Sequence, residues 1–390
     1  MLKDLKENKV FASFLVSFVA AVAMIACLTY GTFWPSVKMS VKELPIGIVS
    51  LDKGISQPQK INIGKNFVDK INETSSEAVD LIVYDDEDAA VNAVDNKDIY
   101  AYLVIPSDFT TSILSLISGN GNATPPVITS YINEGMNYSG VSAAQNILNT
   151  MTAQIQSGVQ ALLLNMATQN NNVFSADTVN NLLTPFTVNT VNLHAIGNGG
   201  SGTIPMMLCV FLWMGALLST LLIWRNTTKI EDKKKAVLIQ LASGILLSVI
   251  LSFINLFIIG NIMGLTINNY WPLYGFVVLV GFVFFLLQSN ILNWTGMKGW
   301  PLLLMIWLFG MSAFNLPPQF LNDFTKNGVY SWSPYRFAGE AFRDILYYNS
   351  QADFPQMATI VGIAGGVLLA LLLLYMFKRN AKSKKDSEAS

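Results

Sequence analysis

Long runs free of Asp, Glu, Lys and Arg constrain this chain more than any other feature. A charged side chain at the centre of a spanning helix costs about 2.5–3.5 kcal/mol, so such runs locate a bilayer. The first, Val10 to Val37, contains an apolar stretch from Val10 to Trp34, enough for the ~20 residues a helix needs to cross. The second has its apolar part from Thr203 to Trp224, ahead of Arg225. The third, Ala236 to Met297, is too long for one helix and is broken by Asn268, Asn269, Tyr270, Trp271 and Pro272. That break divides it into spans near Val237–Met263 and Leu273–Leu292. A short block, Pro301–Phe314, and a clear span, Met357–Phe377, follow. The expectation is a polytopic α-helical membrane protein of six transmembrane helices, with an extracytoplasmic α/β domain inserted between helices 1 and 2.

Composition agrees. Hydrophobic residues make up 52% of the 390 and charged residues 13%, against roughly 25% charged in a soluble domain. With 24 basic and 25 acidic residues the net charge is −1, leaving no basic excess for a nucleic-acid backbone. The two cysteines, Cys27 and Cys209, lie in apolar runs and are expected to pack as small hydrophobes. Met24-Ile25-Ala26-Cys27 faintly resembles a lipoprotein cleavage box, but the apolar run continues past the cysteine. The same length argues for a retained anchor over a cleaved signal peptide. The lone histidine, His194, leaves no second imidazole for a zinc site and reads as an interfacial residue.

Positive charge sets the sidedness. Lys3, Lys6, Lys9, Arg225, Lys229, Lys233, Lys234, Lys235, Lys298, Lys378, Arg379, Lys382, Lys384 and Lys385 would share one side, which the positive-inside rule makes cytoplasmic. The expected organisation is a cytoplasmic tail at 1–9, helix 1 at 10–34, and an outer domain at 35–202. A five-helix membrane domain at 203–377 and a basic cytoplasmic tail at 378–390 follow.

The 35–202 segment alternates strand and helix signals, which implies a mixed sheet. Strands are expected within 44–54, ahead of a turn at Asp52-Lys53-Gly54, and at 79–84, 100–105 and 127–132, with a return strand at 183–192. Helices are expected at 64–73, from Asp85 to about Val94, after Pro106-Ser107-Asp108, and from Tyr138 to about Thr168. Asp85, Asp86, Glu87 and Asp88 are expected to serve as a dipole-stabilised helix start, since four adjacent acids do not converge on one cation. Fifteen acids against seven lysines give this segment a net charge of −8, which disfavours anionic partners.

Catalytic signatures are missing. No G-x-x-x-x-G-K-[ST] loop, G-x-S-x-G elbow, H-E-x-x-H helix or cysteine-metal spacing occurs, so neither an enzyme nor a cofactor is expected. The spans carry almost no ionisable groups, which disfavours an ion-coupled pump. The segment 315–356 stands out, with Asn315-Leu316-Pro317-Pro318, Ser331-Trp332-Ser333-Pro334-Tyr335, and a helical run. Phe337, Ala341, Ile345 and Leu346 suit one apolar face, while Arg336, Glu340, Arg343 and Asp344 are spaced for i,i+3 or i,i+4 pairs. It reads as an external re-entrant or interfacial helix. Trp332, Pro334, Arg336, Glu340 and Arg343 are candidates for a gate, and a linker at headgroup level is the alternative.

The order of parts resembles ABC-2-type exporter permeases, and within them the YhgE/Pip (phage infection protein) branch. The resemblance rests on Leu44–Gly54, Ala101–Phe109 (AYLVIPSDF), Tyr131-Ile132-Asn133 ahead of a long helix, and the stretch Ser331–Leu346 before the last span. It implies a homodimer or paired half-permease in the lipid bilayer that works with a separate cytoplasmic ATPase and moves an amphipathic molecule outward. It also implies a coupling surface at the loop between spans 2 and 3, here Arg225, Lys229, Glu231, Lys233, Lys234 and Lys235, and in the segment before the first span. Met1–Lys9 is short for an interface helix, and Arg225–Lys235 without the family reads as a positive-inside anchor. The rival expectation is a membrane-anchored surface or scaffold protein whose outer domain binds an envelope component or phage.

Overall fold

The computed structural model describes residues 42–56, 60–74, 77–116, 124–169, 183–197, 202–350 and 353–377, with isolated positions between 18 and 29. The expected helix 1, Cys27, and both terminal tails lie essentially outside the described residues. The chain divides into two compact units, Ser40–Thr203 and Met1–Met39 with Ile204–Ser390.

The first unit is a five-stranded mixed sheet in the order β2-β1-β3-β4-β5. Its strands are β1 (Leu44–Ser50), β2 (Val79–Tyr84), β3 (Ala101–Ile105), β4 (Val127–Asn133) and β5 (Thr187–Leu193). β1 lies parallel to β2 and β3, β3 pairs antiparallel with β4, and β4 lies parallel to β5. β3, AYLVI, is buried at every position, as a central strand covered on both faces must be. The helices are α1 (Ile63–Thr74), α2 (Glu87–Asp95), α3 (Phe109–Ser115) and α4 (Tyr138–Gln169). Helix α4 is 32 residues, about 48 Å at 1.5 Å per residue.

In the second unit α5 is Ile204–Thr227, α6 is Lys233–Phe257 continued by a π turn over Ile258–Ile262, and α7 is Tyr270–Thr295. After a 3-10 turn at Gly296–Gly299 come α8 (Trp300–Phe314), α9 (Pro334–Tyr347) and α10 (Phe354–Tyr375). Four helical runs among the described residues are long and apolar enough to cross a membrane: 204–227, 233–262, 270–314 and 354–375. The third joins α7 and α8. Gly296 takes φ 68°, and a Cβ at Gly299 would come within 2.7 Å of the Ile291 side chain eight residues back, so the chain folds onto the last turns of α7. By itself α8 has 15 residues, about 22 Å.

Helix α7 is the pillar of this unit. Val277, Val280, Phe284, Phe285 and Leu292 on it are buried, whereas α10 buries only Met357, Val361 and Leu372. Close approach is set by small residues: Gly244 on α6 meets the Phe285 ring, where a Cβ would lie 2.4 Å away.

Candidate functional site

The basic ends of the helices gather at one end of the bundle. Thr227 closes α5, and its hydroxyl accepts from Gln240 Nε2 on α6 at 2.7 Å. Gln240 Nε2 also donates to Asn293 Oδ1 at 3.3 Å, and Asn293 Nδ2 returns a bond to Gln240 Oε1 at 2.8 Å. All three side chains are buried. Lys233 Nζ lies 5.0 Å from the ring centre of Tyr375 at the end of α10, which itself meets Trp294 edge-on. The end of α5, the start of α6, the end of α7 and the end of α10 are therefore neighbours.

A tight turn joins α5 to α6. Asp232 caps α6, accepting at Oδ1 from the backbone N–H of Lys234 (2.9 Å) and Lys235 (3.4 Å). The expectation placed Lys233, Lys234 and Lys235 in a loop; they form the first turn of the helix instead. Three cations at the positive end of a helix dipole oppose it by a few tenths of a kcal/mol each. Arg225, Lys229, Glu231, Lys234 and Lys235 are exposed, while Lys233 folds onto Tyr375.

Amides continue the polar seam along α7. Gln288 Nε2 donates to the Trp213 carbonyl on α5 at 3.2 Å. Asn290 Nδ2 donates to Leu286 O (2.9 Å) and to Leu368 O on α10 (2.8 Å). With the Gln240–Asn293 pair, α7 is hydrogen-bonded sideways to α5, α6 and α10. Gln288 Oε1, Asn290 Oδ1, Trp213 Nε1 and Thr220 Oγ1 are buried without a protein partner among the described residues.

The expected gate segment lies at the opposite end. Pro334 occupies the first turn of α9, where its missing N–H is no loss. Tyr335, fully buried, packs against Trp213 (5.5 Å) and Phe284 (5.7 Å), and its carbonyl accepts from the Cys209 thiol. Trp332 is half exposed, its indole N–H donating to Gly328 O. Arg336 lies over the Tyr330 ring at 4.7 Å. Of the spacings read in the sequence, Glu340–Arg343 forms an ion pair at 2.5 Å, with Arg343 4% exposed and set over Phe314. Asp344 accepts from Phe354 N–H at 2.6 Å and so caps α10. On the apolar face Ala341 and Ile345 are buried as expected, joined by Ala338 and Phe342, while Phe337 and Leu346 are half-buried. Gly339 presses on Phe314, where a Cβ would be 2.2 Å from the ring. Helix α9 is thus packed into the bundle end.

In the sheet unit, Asp52 sits just beyond the C-terminal end of β1, where open α/β sheets usually receive ligands. Its carboxylate accepts from Gly64 N–H (2.9 Å), Thr110 N–H (3.1 Å), Thr110 Oγ1 (2.5 Å) and Gly54 N–H (3.2 Å). The side chain thus fills the anion position at the starts of α1 and α3 itself. Asp86 caps α2 through Ala89 N–H, with Glu87 and Asp88 in its first turn. His194 Nε2 lies 2.9 Å from Asp95 Oδ1 at the end of α2. A cleft of about 600 Å³ runs between α1 and α4, lined by Phe67, Ile71, Thr150, Gln154 and Gly158. No cluster of three His, Cys, Asp or Glu suited to a metal occurs among the described residues.

The amide seam is what reasoning from charges alone passes over. Its signal is plain in LLQSNILNW at 286–294, four polar residues inside an apolar run. No curated protein and no solved structure matches the chain. The family model for ABC-2 family transporter protein matches residues 12–376. That match covers most of the chain, the sheet unit and the helical bundle included, and the chain therefore belongs to the ABC-2 family of transporter proteins.

Proposed function

We propose that this chain is the permease subunit of an exporter that moves an amphipathic or hydrophobic molecule outward, with ATP hydrolysed by a separate cytoplasmic subunit. In this reading six helices cross the plasma membrane, the first at 10–34, and 35–202 lies outside. Both termini are cytoplasmic, two copies or half-permeases form the working unit, and the chain sits in the YhgE/Pip-like branch. The observation that carries it is the construction of the basic end. Arg225, Lys229, Glu231, Lys234 and Lys235 are displayed on a capped turn, and the buried Thr227–Gln240–Asn293 bonds tie that turn to α7. A push on the turn is transmitted to α7, and from there to α5 through Gln288 and α10 through Asn290. At the other end, α9 with Arg336, Glu340 and Arg343, entered through Trp332 and Pro334, closes the outer mouth, and Asp344 couples it to α10.

Replacing Arg225, Lys229, Lys234 and Lys235 together by glutamine tests this. The variant should insert and fold, yet lose the ATPase that co-purifies with the native chain from its own membrane. Retention of the ATPase at native stoichiometry would remove the coupling assignment. The surface-protein alternative, in which the outer domain binds an envelope component, predicts that residues 35–202 on an unrelated anchor keep the activity.

A further inference from the structure

Where α5, α8 and α9 meet, the bundle gathers hydrogen-bond donors that the described residues leave unused. Trp213 Nε1 on α5, Trp307 Nε1 on α8, and the Ser333 and Tyr335 hydroxyls at the start of α9 are buried with no protein partner among the described residues. Tyr335 is their centre. Its ring lies 5.5 Å from that of Trp213, and a Cβ at Gly310 on α8 would come within 2.7 Å of the Tyr335 ring and 2.8 Å of Ser333 Oγ. Trp307 precedes Gly310 by one turn on α8.

Ser333 is the informative member. It occupies the N-cap of α9, where a serine ordinarily accepts from an N–H of the first turn. Its side chain makes no such bond and sits against Gly310 instead. Native proteins rarely leave several such groups together, because each carries an uncompensated desolvation cost. Trp213 lies nine residues into α5, about 14 Å, a depth at which a membrane offers no bulk water to satisfy it.

The chemistry of the cluster selects what it takes. No carboxylate belongs to it, and the charges of α9 are engaged elsewhere: Arg336 over Tyr330, Glu340 with Arg343, and Asp344 capping α10. The rings of Trp213, Tyr335 and Phe284 pack on one another, which forms no open cage for a cation. Neutral donors without an acid suit oxygen acceptors. We propose that this cluster binds the acceptor oxygens, ester carbonyl or phosphoryl, in the head of the amphipathic molecule that the permease moves. The inference rests on the exporter reading given above. Two of the four donors sit at the start of the helix that closes the outer mouth, so a shift of α9 both admits the head group and separates the donors that hold it.

The test uses the full chain held in amphipol and three probes of comparable apolar bulk. Dioctanoylglycerol offers ester carbonyls, dodecyl phosphate offers phosphoryl oxygens, and dodecyltrimethylammonium offers no acceptor. Isothermal titration should show binding of at least one oxygen probe, which names the acceptor, and at least tenfold weaker binding of the ammonium probe. Ser333→Ala and Tyr335→Phe should each weaken that binding about 3–10-fold, the worth of one net hydrogen bond, and together about 10–100-fold. Neither change removes a side-chain bond to the described residues, so the melting temperature without probe should hold or rise. Failure of both oxygen probes, or equal affinity for the ammonium probe, would overturn the proposal. A lowered probe-free melting temperature with binding intact would make the hydroxyls structural and overturn it too. Any of these results with the ATPase still co-purifying would leave the exporter reading standing.

Discussion

The Gln240–Asn293 pair gives the bundle its most quantitative test. Asn293→Leu removes the donor that satisfies Gln240 Oε1 (2.8 Å) and one of two acceptors for Gln240 Nε2, leaving the other at Thr227. A buried acceptor left unpaired costs about 1–3 kcal/mol, so this variant should lose about 2 kcal/mol. Gln240→Leu orphans Asn293 by the same amount, while Thr227 keeps its bond to Ile223 O (2.9 Å) and loses little. The double variant places two leucines against one another in an apolar bundle and should lose less than either single change. Interhelical hydrogen bonds in membranes average about 0.6 kcal/mol and reach about 1.7. Two mutual bonds join these buried amides, so with each single change costing about 2 kcal/mol and the double change less, the coupling should be about 2 kcal/mol or more. Unfolding of the purified chain by titrating SDS into mild-detergent micelles, followed by tryptophan fluorescence, measures all four corners of the cycle. Additive losses within about 0.3 kcal/mol would refute the claim that these side chains act as one unit.

Other outcomes follow from the same packing. Tyr102 is fully buried, stacked on Tyr131 at 4.5 Å, and its hydroxyl has no protein partner among the described residues. Burial, then the nearby Glu87 charge, raises its pKa from 10.0. A raised folded-state value leaves stability intact below pH 10, and that stability is lost as pH climbs toward the folded value. Tyr102→Phe should therefore be neutral or stabilising at pH 7 and should reduce the alkaline loss seen by circular dichroism. Asp52→Ala should cost about 3 kcal/mol or more, because Gly64 and Thr110 N–H groups lose a charged acceptor, with Asp52→Asn intermediate in a denaturant titration. Arg343→Met alone should cost about 3–5 kcal/mol by stranding the half-buried Glu340, while Arg343→Met with Glu340→Leu should recover most of it. Gly339→Ala should lower the melting temperature, since overpacking against Phe314 costs about 1–3 kcal/mol.

Most of the sheet unit was legible because its signals are local. β2 falls at the residues expected, Val79–Tyr84, and α1 and α4 within a residue of theirs, since apolar periodicity and turn residues bound them. The return strand starts at Thr187 instead of Leu183 because the Leu183 carbonyl accepts from Gln156 and Gln160 on α4, a non-local contact. Strand order is likewise set by long-range pairing and could not be read along the chain. In the helical unit, uncharged runs located α5, α6, α7 and α10, but α6 begins four residues earlier, at Lys233, because Asp232 caps it there. What sequence spacing offered for α9 was a set of permitted pairs. Packing chose Glu340–Arg343, set Arg336 over Tyr330 and gave Asp344 to α10. The amide seam was present as residue types, yet its partners sit 53 to 78 residues apart, beyond any periodicity.

Sidedness decides between a permease driven from the cytoplasm and any other arrangement of these parts. The direct measurement is labelling of intact cells with a membrane-impermeant amine reagent, followed by peptide mass spectrometry. Lys65, with a side chain 71% exposed on the sheet unit, should be modified, and exposed Lys229 and Lys234 should react only after the membrane is opened. Modification of Lys229 and Lys234 in sealed cells with Lys65 untouched would place the basic turn outside, where no ATPase could reach it.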